Sequence, residues 1–283
     1  MSRLNVSPEE IARYKSMAPR MFGASLRERY LRWSIILLIV WFSLYAMSRT
    51  GLFDLAKILD GVGKLGFLLG LMFPPAHNGY FLDFLGGIAE TLAMAFLGTL
   101  GAALIAVPLG LLAAKNVSAN FIVRFLFRRS FDAIRGVDQL IWALVFINVV
   151  GLGPFAGILA IIVGDAGTLA KLFSEAIENA NRGPVEGVRA SGGGKLAEAR
   201  LALLPQVFPV LVSQTLYYFE SNTRSATILG IVGAGGIGLQ LSDRIRVNNW
   251  DEAAFIILMI LLTVAVIDFG SKHLRKRLIG ANN

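Results

Sequence analysis

Cysteine is absent from all 283 residues, which removes thiol catalysis, thiolate metal sites and disulfides together. Histidine is nearly absent. His77 and His273 stand far apart with no motif partner nearby, so no metal centre or His-based catalytic group is indicated. Charge is sparse as well, at 16% of residues against 55% hydrophobic, and the mean hydropathy is +0.63, outside the usual balance of a soluble globular domain. A bilayer is the expected solvent, with membrane lipid as a partner. The formal charge of +8 would indicate nucleic acid if it lay on a polar domain. Here the basic residues fall in short segments between long apolar runs, which is the pattern of membrane orientation, and no nucleic-acid partner is expected. The polar stretch before the first apolar run argues against a cleaved signal peptide, so that run is expected to be retained as a span.

Crossing the hydrocarbon takes about 20 apolar residues as a helix, and runs near that length place the spans. Leu31 to Ser48 is the first, flanked by Arg29, Arg32 and Arg49. Thr91 to Ala114 is the second, uncharged, with Gly98, Ala102, Ala106, Gly110 and Ala114 on one face where another backbone can approach closely. Gln139 to Gly164 is uncharged but broken at Gly151-Leu-Gly-Pro154. The segments on either side of it are both basic, which favours a cytoplasmic location for both and an even number of crossings between them. A hairpin of Gly136 to Gly153 and Pro154 to Lys171 is therefore expected. A fifth span starts near Gln206 and a sixth runs from Ala253 to Phe269. Val62 to Pro75 is apolar but short, and reads as interfacial or re-entrant. The expected fold is all-α, a polytopic transmembrane helix bundle of about six spans with both termini cytoplasmic. Residues 1–30 form a cytoplasmic arm, with Arg3, Arg13, Lys15 and Arg20 among its basic residues, and residues 31–283 form the membrane domain.

The loop from Glu175 to Pro205 is long for a connection between membrane helices and is not linker-like in composition. Pro184 is placed to start a short helix, to which Val185 and Val188 give apolar character. Within it, Glu186-Gly187-Val188, then Arg189, Ala190, Ser191 and Gly192, then Leu204-Pro205, resemble the cytoplasmic "EAA" loop of ABC importer permeases. In that family a Glu-Ala-Ala triplet is followed at fixed spacings by Gly and by Leu-Pro. The resemblance implies a type I importer permease fold in a bacterial inner membrane. It also implies that Glu186 to Ser191 form a docking helix for a separate ATPase, with Gly192 as its turn and Leu204-Pro205 as the return to the membrane. Gly187 and Val188 replace the family's alanines. The implied partners are an ABC ATPase dimer, a second copy of the chain and an extracytoplasmic substrate-binding protein. No cofactor is expected on this chain. Gly194-Lys195-Leu196 fails as a phosphate loop because Leu196 replaces the hydroxyl residue and Arg189 the first glycine, so ATP and Mg belong to the ATPase.

Gly233-Ala-Gly235-Gly236-Ile-Gly238 satisfies a dinucleotide fingerprint by letters, but no strand precedes it and no acidic residue follows at the required distance. It reads instead as a bend after span five, or as an outer gate of a pore. With Glu220-Ser-Asn222-Thr-Arg224 and Glu90-Thr-Leu, it resembles permeases for phosphonate and related phosphorus oxyanions, and more distantly those for methionine. Ionisable groups inside a bilayer are costly and face a cavity or a partner. Glu90, Asp138, Asp165, Glu220 and Arg224 are the candidates. Glu220 and Arg224, four apart on a helix, either pair with each other or leave Arg224 free for an anionic substrate. Asn222 and Asn148 are the neutral candidates along such a pathway. A secondary transporter would show internal repeats and a membrane enzyme would show clustered His, Asp or Arg; neither pattern is present.

Overall fold

The structure is a computed structural model that describes residues 26–51, 54–116 and 121–280; the expected arm over residues 1–30 lies almost entirely outside the described residues. The chain divides into two compact units, Met1–Leu68 and Leu69–Asn283. The first contains α1, Leu26–Arg49, which encloses the expected first span. Its Leu37, Leu38 and Phe42 are more than 60% exposed, as suits a helix solvated by acyl chains. Helix α2, Leu55–Leu71, has 17 residues and none of its side chains is buried. Asp60 and Lys64 pair on it at 2.7 Å. It starts earlier than the expected Val62 and is not among the helices long and apolar enough to cross a bilayer.

The larger unit is built on α3, Phe81–Ala113, and α6, Pro154–Glu178. The stripe Gly98, Ala102, Ala106, Gly110 and Ala114 is buried as its spacing implies. A Cβ on Gly98 would lie 2.7 Å from the Cβ of Ile161, and one on Gly110 would lie 3.1 Å from the Ala170 carbonyl. Small side chains thus bring the two backbones together where no hydrophobic force acts between helices. Among the described residues, five helices are long and apolar enough to span, or six if one bent pair counts as a span.

That pair is α4, Phe121–Arg135, and α5, Gln139–Val150, which meet at 85°. The expected first arm of the hairpin, Gly136 to Gly153, is met by α5, which with α4 makes the bent pair that counts as the sixth span. Helix α5 has 12 residues and rises only about 18 Å, short of the hydrocarbon thickness. The helix starts at Gln139 because Asp138 is its N-cap, in extended backbone, with its carboxylate accepting the Leu140 N–H at 2.8 Å. The turn into α6 holds, at Gly151 to Gly153.

After α6 comes a short helix α7, Arg182–Ala190, and then a long helical run that begins at Lys195. Leu204 and Pro205, expected at the return to the membrane, lie inside this continuous helical run. Pro205 brings no N–H to the Leu201 carbonyl, and a proline there would break an α-helix. The turn Glu198–Leu203 is wound as a π-helix instead, with the Leu204 N–H reaching the Ala199 carbonyl. Helix α8, Leu204–Leu229, follows and closes in a second π-turn, Gly230–Ala234. Then come α9, Gly236–Arg246, and α10, Trp250–Gly280. Arg244 of α9 lies 4.4 Å over the Tyr80 ring and pairs with Glu252 at 2.8 Å, tying the starts of α3 and α10 together.

Replacing Gly98 with alanine should overpack the α3–α6 contact and cost about 1–3 kcal/mol. Gly86→Ala, whose Cβ meets open space, should cost nothing. Thermal unfolding midpoints in mild detergent check this, with a drop expected for Gly98→Ala alone.

Candidate functional site

Helix α7 is short, exposed and capped at both ends by local chemistry. Its N-cap is Asn181, whose side chain accepts the Gly183 N–H at 3.0 Å. Pro184 sits in the first turn, where a missing N–H costs nothing. At the other end the Gly193 N–H donates to the Val188 carbonyl at 2.9 Å and the Gly192 N–H to the Arg189 carbonyl at 3.0 Å. This is a Schellman close with Gly192 at φ +85, a conformation that only glycine adopts without strain. Val185 and Val188 are half-buried, while Glu186, Gly187, Arg189, Ala190, Ser191 and Gly192 are exposed. A Cβ at Gly187 would meet nothing within 4 Å, so the outer face of the helix is open.

Two anchors fix α7 to the long helix. The Arg189 guanidinium grips both oxygens of Glu198 at 2.8 and 3.0 Å, a two-pronged pair with defined direction. That hydrogen bond, and the carboxylate's charge, hold the Arg189 pKa above its usual value. At the other end the Gln206 side chain accepts the Asn181 N–H at 2.9 Å and donates to the Asn181 carbonyl at 3.3 Å. Both anchors land on the turns around Pro205. Sequence reasoning missed Glu198 and Gln206, whose roles follow from the continuity of this helix.

Deeper in the bundle, Asp165 of α6 accepts from Gln139 of α5 at 2.8 Å and from Asn222 of α8 at 2.5 Å. Asn222 also donates to Thr99 of α3 at 2.9 Å. Asp165, Asn222 and Thr99 are 5%, 2% and 1% exposed, so one carboxylate links four helices. Asn222, expected along a substrate pathway, is buried in this junction within the single chain. Glu220 is bound by Arg275 of α10 at 2.6 Å, and Arg224 by Asp268 at 3.0 Å and by Glu220 at 3.6 Å. Glu220 and Arg224 do pair, but each has a closer partner on α10. Asn148 is exposed on α5, with its amide bonded to the Leu144 carbonyl at 2.7 Å.

The glycine segment forms a buried joint. Gly233, Gly235, Gly236 and Gly238 are all buried, so none lines an open mouth within this chain. The Glu90 carboxylate accepts the Gly236 N–H at 2.7 Å and Thr91 Oγ1 accepts the Ile237 N–H at 2.9 Å, capping α9 from α3. Gly236 has φ +69, and a Cβ on Gly238 would run into the Thr227 carbonyl.

Residues 106–280 match the family described as "Binding-protein-dependent transport system inner membrane component". The chain belongs to this family. The phosphite transport system permease protein PtxC of Stutzerimonas stutzeri is 35% identical over 242 residues, 86% of this chain and 85% of that one. The phosphate-import permease protein PhnE of Mycolicibacterium smegmatis is 40% identical over 208 residues, 74% of this chain and 39% of that longer one. Among solved structures, the inward-facing MetNI methionine ABC transporter, in its CY5 native crystal form, superposes with a TM-score of 0.63 at 22% identity. The match covers 72% of this chain and 99% of that one, and it establishes a shared fold. This permease component is thus a multi-pass inner-membrane transport subunit and not an enzyme.

In the permease an apolar gap of about 340 Å³, lined by Val107, Leu111, Phe173, Leu196 and Leu203, lies between the start of the long helical run and α3 and α6. The two anchors are polar ties between this run and α7. Arg189→Glu should release the end of α7, and adding Glu198→Arg should restore it. Hydrogen exchange of residues 182–193 is expected to rise in the single variant and to return in the double one.

Proposed function

We propose that this chain is the membrane-spanning subunit of an ABC importer for a phosphorus oxyanion of the phosphite, phosphonate or phosphate class. It works as a homodimer with two copies of a separate ATPase and with an extracytoplasmic binding protein that delivers substrate. Its termini lie in the cytoplasm, and ATP and Mg bind the ATPase. The observation that carries the coupling half of this reading is the open face of α7 held at both ends to the start of α8. A force on α7 is carried through Arg189–Glu198 and Asn181–Gln206 into a helix that reaches the joint at Gly233 to Gly238. The names of PtxC and PhnE support the substrate class.

Arg224 is the candidate cation for the substrate, with 45% of its side chain exposed. Its charge is shared with Asp268 and Glu220, so an anion reaching it competes with a carboxylate. Arg224→Gln should abolish uptake while assembly survives; unchanged uptake would remove Arg224 from the pathway.

Co-purification from native membranes in mild detergent tests the coupling half. An ATPase subunit should accompany the wild-type chain and be lost with Glu186→Ala plus Gly192→Asp. The second change places a side chain at φ +85 and should unwind the close of α7 at a cost of about 1–2 kcal/mol. A chain that purifies alone and still transports would be a secondary transporter.

A further inference from the structure

The bent pair of α4 and α5 carries a cation that none of the contacts described above uses. The level of the bend follows from α6, which runs 25 residues from Pro154 to Glu178. A Cβ on Gly167 would lie 3.4 Å from the Phe131 Cα and 3.6 Å from the Ile134 Cβ, and one on Gly164 would lie 2.6 Å from the Gln139 Cγ. Residues 135–138 follow the first of these contacts and precede the second, so the bend sits beside the middle turns of α6, halfway along a span. Arg135 closes α4 at that level.

Arg135 is exposed, and among the described residues no carboxylate or carbonyl lies within bonding distance of its guanidinium. Its charge is felt at Asp132 and at the Tyr218 hydroxyl without a bond to either. The carboxylates nearby are already engaged. Asp132 is held by Lys171 at 3.2 Å and by Arg129 at 3.5 Å, Asp138 caps α5 through Leu140, and Asp165 accepts from Gln139 and Asn222. Tyr218 of α8 is half-buried against the core that contains Phe131 and Ala166. Its hydroxyl has no hydrogen-bond partner among the described residues. An unpaired charge halfway across a bilayer is costly and faces water or an opposite charge, and transporters hold solutes where a span is broken into half-helices at mid-depth. Arg224 is shared between Asp268 and Glu220, whereas an anion at Arg135 displaces no carboxylate.

We propose that Arg135 is an oxyanion contact of the translocation pathway: its guanidinium donates two N–H groups to oxygens of the phosphorus oxyanion at the bend between α4 and α5, and the Tyr218 hydroxyl is a further donor. The planar fork of a guanidinium matches two oxygens of such an anion, which an ammonium does not. This inference rests on the substrate class proposed above and adds a second cation to Arg224.

The absence of cysteine makes Arg135→Cys the single thiol of the chain. The whole transporter, with its ATPase and binding protein, is reconstituted in proteoliposomes, and uptake of phosphite, methylphosphonate and phosphate is measured. For the oxyanion that the wild type moves, Arg135→Cys and Arg135→Gln should be slower by at least about tenfold, and Arg135→Lys should lie between them and the wild type. A methanethiosulfonate reagent that adds an aminoethyl group returns a positive charge to position 135 and should recover most of the loss. A reagent that adds a sulfonatoethyl group should not, and the transported oxyanion should slow both labelling reactions. Wild-type uptake by Arg135→Gln would overturn the contact, as would equal rescue by the two reagents. A thiol at 135 that does not react lies away from water, which overturns its place in the pathway. If the wild-type assembly moves none of the three oxyanions, the substrate class itself fails, whatever the variants do.

Discussion

The close approach of α3 to α6 is the contact on which the larger unit depends. In hydrocarbon, apolar side chains gain nothing by leaving lipid for one another, so association rests on backbone proximity and on polar groups that find partners. The stripe from Gly98 to Ala114 supplies the proximity. Thr99, which shares the buried surface of α3 with it, opens a place for Asn222 and Asp165. One helix pair therefore sets both the packing of the bundle and the position of its buried carboxylate. With that pair in place, α5 is held by Gln139, α8 by Asn222 and α9 by Glu90 and Thr91.

Helix α8 and the turn that precedes it join α7 to the glycine joint at Gly233 to Gly238. At its start it carries α7 on a two-pronged ion pair and an amide clip. Further along it meets the Asp165 junction and the ion-pair lattice with α10, and at its end it breaks at glycines that no larger residue could replace. The π-turn at Glu198–Leu203 lets the helix pass a proline, and the turn Gly230–Ala234 ends it in a kink at Gly233, where φ is +111. The lattice of Glu220, Arg224, Asp268 and Arg275 balances two carboxylates against two guanidinium groups, which makes charges tolerable in a setting where an unpaired one is costly.

Much of this was legible in the residues. Spans read from runs of apolar side chains fell within the observed helices because a backbone in lipid has no alternative to intrahelical hydrogen bonds. The buried face of α3 was legible from a four-residue spacing of small side chains. The ends of α7 were also legible, because Asn181, Pro184 and Gly192 act through local backbone geometry. Two features were not legible. Hydropathy and the charge balance of its flanks marked segment 136–153 as a crossing, but neither quantity registers that Asp138 caps a separate helix that meets α4 at 85°. The resemblance placed Leu204-Pro205 at the return to the membrane, but not the π-turn that carries the helix past Pro205.

The sequence by itself determined the solvent, the family, the approximate spans and the local form of the loop helix, because composition, periodicity and capping act over a few neighbouring residues. The tertiary structure alone decided which polar residues meet. Arg189 finds Glu198, Asn222 finds Asp165 and Thr99, Glu90 finds the Gly236 N–H, and Arg224 is shared with Asp268. Such pairings join residues on separate helices, and no local rule specifies which helix faces will come together.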